Sequence, residues 1–399
     1  MTDAPVDKPL TVLIACDTYP PHLNGAAQFG YRLARGMHGR GHNVHVLAPN
    51  DVNGGSRSDL EGEWPVHRLR SHGVPTHEYW RICLPWEIKK EITLLFDRVQ
   101  PDVVHIQCHY MVGEYTLYEA RKRGIRVIAT NHFMPENLDP FLPFPKWVKQ
   151  IVATNSWKDM GKVMGQAHVV TTPTPLAAEA MYRHAFLHDV MPLSNGIDAS
   201  VYELRDGEQI PPHEAPTVLF VGRLAEEKHV DVLIDAVAKT PAHLGVRAEI
   251  IGGGEVRPGL EAQVQRLGLQ DRVVFRGLVS DEELREAYLK ADLFCMPGTA
   301  ELQSLVTLEA MSASKPVLLA DAMALPHLVD KGRNGYLFTP GDSSELAGRI
   351  TEILELPADE RAKMGRTSRE MVDRHSLEAT LSTFEDLYRG DPGKRVDAR

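Results

Sequence analysis

Two doubly wound α/β domains are the fold class that this sequence predicts, and three observations carry the prediction. The chain has 399 residues, more than one hydrophobic core usually organises. Short apolar runs alternate with helix-length segments, which indicates βαβ units and parallel sheets. The alternation runs twice, with a break at Ser194–Asp198 and the Pro-rich stretch Ile210–Pro216.

The first series opens with Thr11–Cys16, an apolar run that ends in a Pro/Gly-rich loop before the helix-like spacing of Gly25–Gly39. Strands follow at Val44–Ala48, Val66–Leu69, Val103–Ile106, Val127–Ala129 and Val169–Thr172, with helices at Pro85–Val99, Val112–Arg123 and Lys146–Met164. The second series has strands at Thr217–Val221, Ala248–Ile251, Val273–Phe275, Leu293–Met296, Pro316–Leu319 and Tyr336–Phe338. Its helices include His229–Ala238, Asp281–Leu289 and Leu305–Ser312. We expect one domain over residues 1–195 and a second over 196–375. The remainder, 376–399, carries the helix-like stretch Ser376–Tyr388 and is expected to cross back to the first domain.

Composition narrows the function classes. With 43% hydrophobic and 25% charged residues, the chain reads as an ordinary folded protein. Its net charge of -10 argues against sequence-independent nucleic-acid binding, which needs many cations on phosphate. Met1–Leu10 lacks the basic start and apolar core of a signal peptide, and no apolar run approaches the roughly 20 residues that cross a bilayer. The expected location is therefore cytoplasmic. Cys16, Cys83, Cys108 and Cys295 form no Cys-x-x-Cys pair, and Cys16, Cys108 and Cys295 end or closely follow strand-like runs, which reads as small buried residues in a reducing compartment without disulfides or thiolate metal sites.

Parallel sheets bind ligands outside the carboxyl ends of their strands, which directs attention to the loops that follow them. Val218-Leu-Phe-Val-Gly-Arg-Leu-Ala-Glu-Glu-Lys228 ends a strand at Gly222 and brings Arg223 and Lys228 into the loop. A rigid guanidinium fork and a mobile ammonium together suit a diphosphate; the plain alternative is two solvated cations beside Glu226 and Glu227. Ile250-Ile-Gly-Gly-Gly-Glu255 closes another strand with Gly252, Gly253 and Gly254. Such a turn lets an anion approach backbone at a helix N-terminus, although any tight strand-to-helix turn needs similar residues. A dinucleotide fingerprint fails here, because Val256 and Arg257 fill its later positions. In Pro297–Met311, Glu301 lies in a loop and Glu309 within an apolar helix. For a helix starting near Gln303 the two carboxylates are about 10 Å apart along the axis. That separation suits one carboxylate on a sugar and another on the ribose of the same nucleotide, better than a pair sharing one glycosidic bond.

Taken together, Gly222-Arg-Leu…Glu227-Lys228, the Gly252–Gly254 turn and Glu301…Glu309-Ala-Met resemble glycosyltransferase family 4. The resemblance extends to Asp17-Thr-Tyr-Pro-Pro-His-Leu-Asn-Gly25 and Ser194-Asn-Gly-Ile-Asp198. It implies a GT-B architecture of two facing Rossmann-like domains with parallel sheets and an interdomain cleft, and a retaining transfer of a hexose. Arg223 and Lys228 would hold the donor diphosphate, Glu301 the sugar hydroxyls and Glu309 the ribose. Gly222 and Gly253 would line the donor site with Ser304 and Leu305, and Gly25 would let the first loop approach the phosphates. His132, in Thr130-Asn-His-Phe-Met-Pro-Glu136, matches the family's histidine near the donor sugar; without that context a lone His at a strand end is usually structural. Asn24, Tyr110, Asn131 and Phe133 are the acceptor-side candidates.

The sequence departs from the family pattern in three places. Leu302-Gln303-Ser304 stands where Phe-Gly often follows the first glutamate, His229 stands where Gly is common, and Met311-Ser-Ala-Ser-Lys-Pro316 replaces the commoner Ala-Cys-Gly segment. Donor specificity is what these differences leave open. No Asp-x-Asp sequence is present, so fixed cations and helix N-termini are expected to stabilise the leaving diphosphate without a metal or other cofactor.

On the acceptor side, Phe141-Leu-Pro-Phe-Pro-Lys-Trp-Val-Lys149 continues to Trp157, Lys158 and Lys162, and Tyr79–Trp86 is followed by Lys89 and Lys90. Trp with Lys on one helical face suits a membrane interface and hence a lipid or glycolipid acceptor, with a peripheral contact at the cytoplasmic membrane face. The plain alternative makes Val148, Ile151 and Val152 a core face with solvated cations. The leading expectation is a transferase using a UDP- or GDP-sugar, with an acceptor that is a membrane glycolipid, a diacylglycerol or a glycoside. The alternatives are a soluble glycosyltransferase acting on a small molecule or polysaccharide precursor, and a non-catalytic nucleotide-sugar-binding protein.

Overall fold

The computed structural model describes residues 8–22, 24–74, 77–135, 144–209 and 215–390. The chain divides into two compact units, Met1–Ser194 with Ala379–Arg399, and Asn195–Glu378.

In chain order the first unit contains β1 (Thr11–Ala15), α1 (Gly25–Gly39), β2 (Asn43–Pro49), β3 (Arg57–Glu61), β4 (Trp64–Leu69), β5 (His72–Val74) and β6 (His77–Ile82). It continues with α2 (Pro85–Val99), β7 (Val103–Ile106), α3 (Met111–Lys122), β8 (Arg126–Thr130), α4 (Lys146–Met164), β9 (Val169–Thr172), α5 (Pro175–Ala185) and β10 (Val190–Pro192). The main sheet runs β10-β9-β8-β7-β1-β2-β4-β3. Its pairs are parallel except β3 with β4, and β5 and β6 form a separate antiparallel pair. Val12, Leu13, Ile14 and Ala15 are all buried on successive positions of β1, as a strand covered on both faces requires.

The second unit contains β11 (Thr217–Val221), α6 (Val230–Lys239), β12 (Arg247–Ile251), α7 (Arg257–Leu267), β13 (Val273–Gly277), α8 (Asp281–Lys290) and β14 (Leu293–Met296). Then come α9 (Leu305–Ser312), β15 (Val317–Ala320), β16 (Gly335–Phe338), α10 (Ser343–Glu355), α11 (Ala358–Val372) and the start of α12 (Leu377–Arg389). Its sheet is wholly parallel in the order β13-β12-β11-β14-β15-β16. Local chemistry sets the helix starts. Ser280 and Glu283 make a reciprocal capping box on α8, and Asp342 accepts from Ser344 and Glu345 N–H at α10.

Every strand expected from an apolar run is present within two residues of its expected bounds. β3 was not expected, because Arg-Ser-Asp-Leu-Glu carries no apolar alternation; it exists as the outer partner of β4. The plain alternative for α4 does not hold. Val148, Ile151 and Val152 do not form its core face: Ile151 is exposed and the two valines are half-buried. Trp157, Met160, Val163 and Met164 are buried instead, which also removes Trp157 from the surface patch. Glu136, Asn137 and residues 141–143 lie outside the described residues. The four cysteines are free and buried.

α12 packs on the first unit from Ala379 onward. Phe384 lies 5.8 Å from the Phe29 ring and 4.9 Å from His105. The Tyr388 hydroxyl is 2.7 Å from His105 Nδ1, and His105 Nε2 is 2.6 Å from Thr130 Oγ1, which in turn meets Thr171 Oγ1 at 2.7 Å. A polar line thus runs from α12 across β7, β8 and β9 in an otherwise apolar layer. On the other side of the sheet, His67 meets His45 at 3.1 Å and Ser58 at 2.9 Å.

Burial pushes His105 down to about 3, helped by the neighbouring His132, and pushes His67 down to about 4, helped by His45 and Arg98. In the unfolded chain each would take up a proton near its ordinary 6.5. Below that pH the unfolded state binds more protons than the folded one, so stability falls as pH drops from about 6.5 toward 4 and is fully present above 6.5. Thermal midpoints should be flat above neutrality and should fall through this window. Replacing His67 by Gln should shallow the slope; an acid limb unchanged by that replacement would rule out His67 as a contributor.

Candidate active site

In each sheet the strand order reverses beside the strand that begins its unit. β11 sits between β12 and β14, and β1 sits between β2 and β7. At such a switch point the loops leave in opposite directions and open a crevice at the carboxyl ends of the strands.

In the second unit the loops after β11 and β12 are bonded to each other. Leu224 N–H donates to Gly253 O at 2.9 Å, Gly222 N–H to Ile251 O at 3.0 Å and Val256 N–H to Leu224 O at 3.3 Å. This contact, more than any ligand, explains two of the three glycines. A Cβ on Gly252 would stand 1.9 Å from Gly222 O, and one on Gly254 would stand 2.2 Å from Leu224 O. A Cβ on Gly253 would meet nothing within 4 Å, so Gly253 alone presents open backbone.

The cations after β11 have acidic partners. Arg223 pairs with Glu227 and lies 3.5 Å from Glu255, and Lys228 pairs with Glu301 from the loop after β14. A further bond ties these loops, from Thr299 N–H to Glu227 O at 3.0 Å. His229 holds a left-handed φ of 48°, which explains why glycine suits this position. Here its ring Nε2 lies 3.1 Å from Thr299 Oγ1, a bond that glycine could not make.

α9 spans Leu305–Ser312, as its apolar run predicts. Ser304 is its N-cap residue, but the Ser304 side chain makes no cap bond and instead accepts from Thr307 Oγ1 at 2.8 Å. The first turn of α9 therefore keeps N–H groups without a side-chain cap, a setting that favours an anion. Gln303, at the position where the family often carries Gly, is buried and accepts from Asn195 N–H at 2.9 Å. Glu309 is buried in the second turn and accepts from the Tyr288 hydroxyl at 2.9 Å. Tyr288, a fully buried residue on α8, is a partner that sequence spacing could not single out.

In the first unit the loops after β1, β7 and β8 carry the remaining candidates. Gly25, the first residue of α1, is exposed and has open space around a Cβ. Asn24 is that helix's N-cap: its side chain accepts from Ala27 N–H at 2.9 Å and bonds Thr18 Oγ1 at 2.8 Å. Asn131 is likewise occupied locally, accepting from Phe133 N–H at 3.1 Å and donating to Phe133 O at 2.8 Å. Tyr110 and Phe133 make an edge-on aromatic pair with centroids 5.3 Å apart, and the Tyr110 hydroxyl lies 3.2 Å from Ser156 Oγ. Burial pushes the Asp17 carboxyl up to about 6 against two backbone N–H bonds from Val112 and Gly113. His132 is half-buried, 4.7 Å from the Phe29 ring, with Nε2 at 2.7 Å from Gln107 Oε1. Among the described residues, no group of three or more His, Cys, Asp or Glu side chains is placed to hold a metal ion.

This architecture is shared with solved structures. The sucrose-phosphate synthase of Thermosynechococcus elongatus superposes with a TM-score of 0.78 at 19% identity, covering 96% of this chain and 99% of that one. Anabaena Alr3699/HepE, solved in complex with UDP, superposes at 0.73 with 20% identity, covering 96% and 100%. The fold is thus GT-B. Residues 23–201 match the family description Glycosyltransferase Family 4, and residues 203–371 match Glycosyl transferases group 1. The chain belongs to the family 4 glycosyltransferases.

Among curated relatives, the GDP-mannose-dependent alpha-mannosyltransferase of Mycobacterium tuberculosis is 25% identical over 96% of this chain and 98% of its own length. The alpha-monoglucosyldiacylglycerol synthase of Acholeplasma laidlawii is 24% identical, over 94% and 96%. The sulfoquinovosyl transferase SQD2 of Arabidopsis thaliana is 25% identical over 80% of this chain, which spans 62% of that protein's length.

The zipped loops make a direct test. Gly252→Ala, at a φ of 131° and against backbone oxygen, should destabilise the second unit by about 1–3 kcal/mol or more. That corresponds to about 2–4 °C per kcal/mol in a unit of this size. Gly253→Ala should melt like the unmodified protein. Equal midpoints for the two variants would show that the loop contact does not hold the turn.

Proposed function

We propose that the protein is a retaining hexosyltransferase that uses a UDP- or GDP-sugar and transfers the hexose to a hydroxyl of a membrane glycolipid or diacylglycerol. The observation that carries the donor half is the pairing of Lys228 with Glu301 beside the uncapped start of α9. On this reading the donor diphosphate takes Lys228 and Arg223, and the N–H groups at Ser304 and Leu305 receive its oxygens. Glu301 turns to the sugar hydroxyls and Glu309 to the ribose, while Gly253 admits the donor without steric obstruction. Fixed positive charge and helix N–H groups then stabilise the leaving nucleoside diphosphate with no metal ion required. Retention follows from the family resemblance, with the acceptor hydroxyl approaching the face that the diphosphate leaves. The alpha-mannosyltransferase relative supports GDP, and the structural neighbour solved with UDP supports UDP.

The diacylglycerol synthase relative supports a lipid acceptor. Physical support comes from the start of α4, where Trp147 is 67% and Ile151 52% exposed beside Lys146 and Lys149. Phe144 and Trp86 are exposed as well. No helix among the described residues is long and apolar enough to cross a membrane, so the proposed contact is peripheral, at the cytoplasmic face.

A panel of UDP- and GDP-sugars, assayed for binding and slow hydrolysis with and without chelator, tests the donor half. Binding of at least one that survives chelation is expected; no binding overturns the donor site, and complete loss with chelator overturns the metal-free mechanism. Lys228→Ala should lower turnover by about 10²–10³-fold with an unchanged circular dichroism spectrum. For the acceptor half, Trp147→Ser with Ile151→Ser should reduce sedimentation with anionic vesicles. Transfer confined to soluble glycosides would overturn the lipid acceptor.

A further inference from the structure

Gln107 is the first residue after β7, at the switch point of the first sheet, and its backbone N–H donates to Ala15 O of β1 at 2.9 Å. Its side chain is 3% exposed and reaches His132 at the end of β8, with Oε1 2.7 Å from Nε2. The Gln107 amide nitrogen is buried without a hydrogen-bond partner among the described residues. An amide buried for packing alone would be replaced with gain by an apolar side chain, since an unmet donor costs more than a missing one. The bond to His132 is what this side chain supplies.

An imidazole in its neutral form donates at one nitrogen and accepts at the other, and the partner decides which. In the orientation present, the Gln107 oxygen can only accept, so Nε2 carries the proton and Nδ1 keeps its lone pair. Phe29 packs against the ring with centroids 4.7 Å apart, and His132 as a residue is half-buried.

We propose that Gln107 is a positioning residue which fixes His132 in its neutral, Nε2-protonated tautomer and reserves Nδ1 to accept a hydrogen bond from a substrate hydroxyl. The proposal rests on the reading of His132 as a residue of the transfer site. Burial supports it by pushing His132 down to about 3. The titratable groups on the packed elements do not oppose it. His105 on β7 is itself held down to about 3, Tyr388 on α12 keeps its phenol proton through burial, and Phe29 on α1 and Phe384 on α12 bring no charge. Asp17, on the loop after β1, directs its carboxylate to the N–H groups of Val112 and Gly113. His132 therefore serves as a neutral acceptor at neutral pH and not as an acid.

The test uses the full chain with ¹⁵N-labelled histidine, the His132 resonances being assigned by their loss in His132→Ala. The unmodified protein should show a neutral Nε2–H ring that does not titrate above pH 5. Gln107→Glu keeps the shape but favours the imidazolium, so the His132 midpoint should rise by about one unit or more. The same variant should gain an acid limb in its transfer rate, with kcat reduced and the donor KM unchanged. Gln107→Met, of similar volume, should lose the fixed tautomer without the acid limb. An unchanged His132 tautomer and midpoint in both Gln107 variants, with His132→Ala inactive, would overturn the proposal alone. Full transfer activity in His132→Ala would instead overturn the reading on which it rests.

Discussion

Parallel pairing of strands is the constraint on which the rest of this structure depends. A parallel sheet sends every strand in one direction, so all the loops that follow strands collect at one edge. In the second unit that edge brings together residues as distant as Gly222, Gly252 and Thr299; in the first it brings together Asp17, Gln107 and His132. Reversal of the strand order beside β11 and β1 then separates the outgoing helices and leaves room between them. The chemistry-bearing side chains need no long-range coordination beyond this, because the ladder already fixes their distances.

Within that frame the second unit shows how backbone packing prepares a charged loop. Gly252 and Gly254 let the β12 turn touch the β11 loop, and their missing Cβ atoms leave Leu224 buried and fixed. Arg223 and Lys228 flank this anchored segment, while Thr299 holds it from the other side through Glu227 O. The cations are thus placed on backbone held from two sides, which on the proposed reading is the condition for electrostatic stabilisation without reorganisation at the moment of reaction.

How far this was readable in the sequence varies with the physics of each part. Buried parallel strands show themselves, because both faces must be apolar; hence Thr217–Val221 was identifiable residue for residue. β3 was not, since an outer strand of Arg, Ser, Asp, Leu and Glu takes its conformation from β4. The core-face alternative for α4 failed because Val and Ile look like core at any spacing, whereas the helix buries its later turns. Glu301, Glu309, Arg223 and Lys228 stood out as charges near strand ends or in an apolar helix. Their partners did not all stand out, for a phenol such as Tyr288 or an amide such as Gln107 reads as ordinary until the fold places it. Asn24 shows the converse: a polar residue in a suggestive loop whose side chain is spent on capping its own helix.

The ion pairs add one further physical consequence. Lys228 and Glu301 are both largely buried, and a charge left alone there would be costly. On the proposed reading, a diphosphate that takes Lys228 leaves Glu301 in need of new donors, and the hydroxyls of the transferred sugar are such donors. Arg223 and Glu227 stand in the same relation. Recognition of phosphate and of sugar would then be coupled through one exchange of partners. A nucleotide without its sugar satisfies only one side of that exchange, whereas the intact donor satisfies both. On that reading, the carboxylate that balances Lys228 would be the group that makes the site prefer a nucleotide sugar over a bare nucleotide.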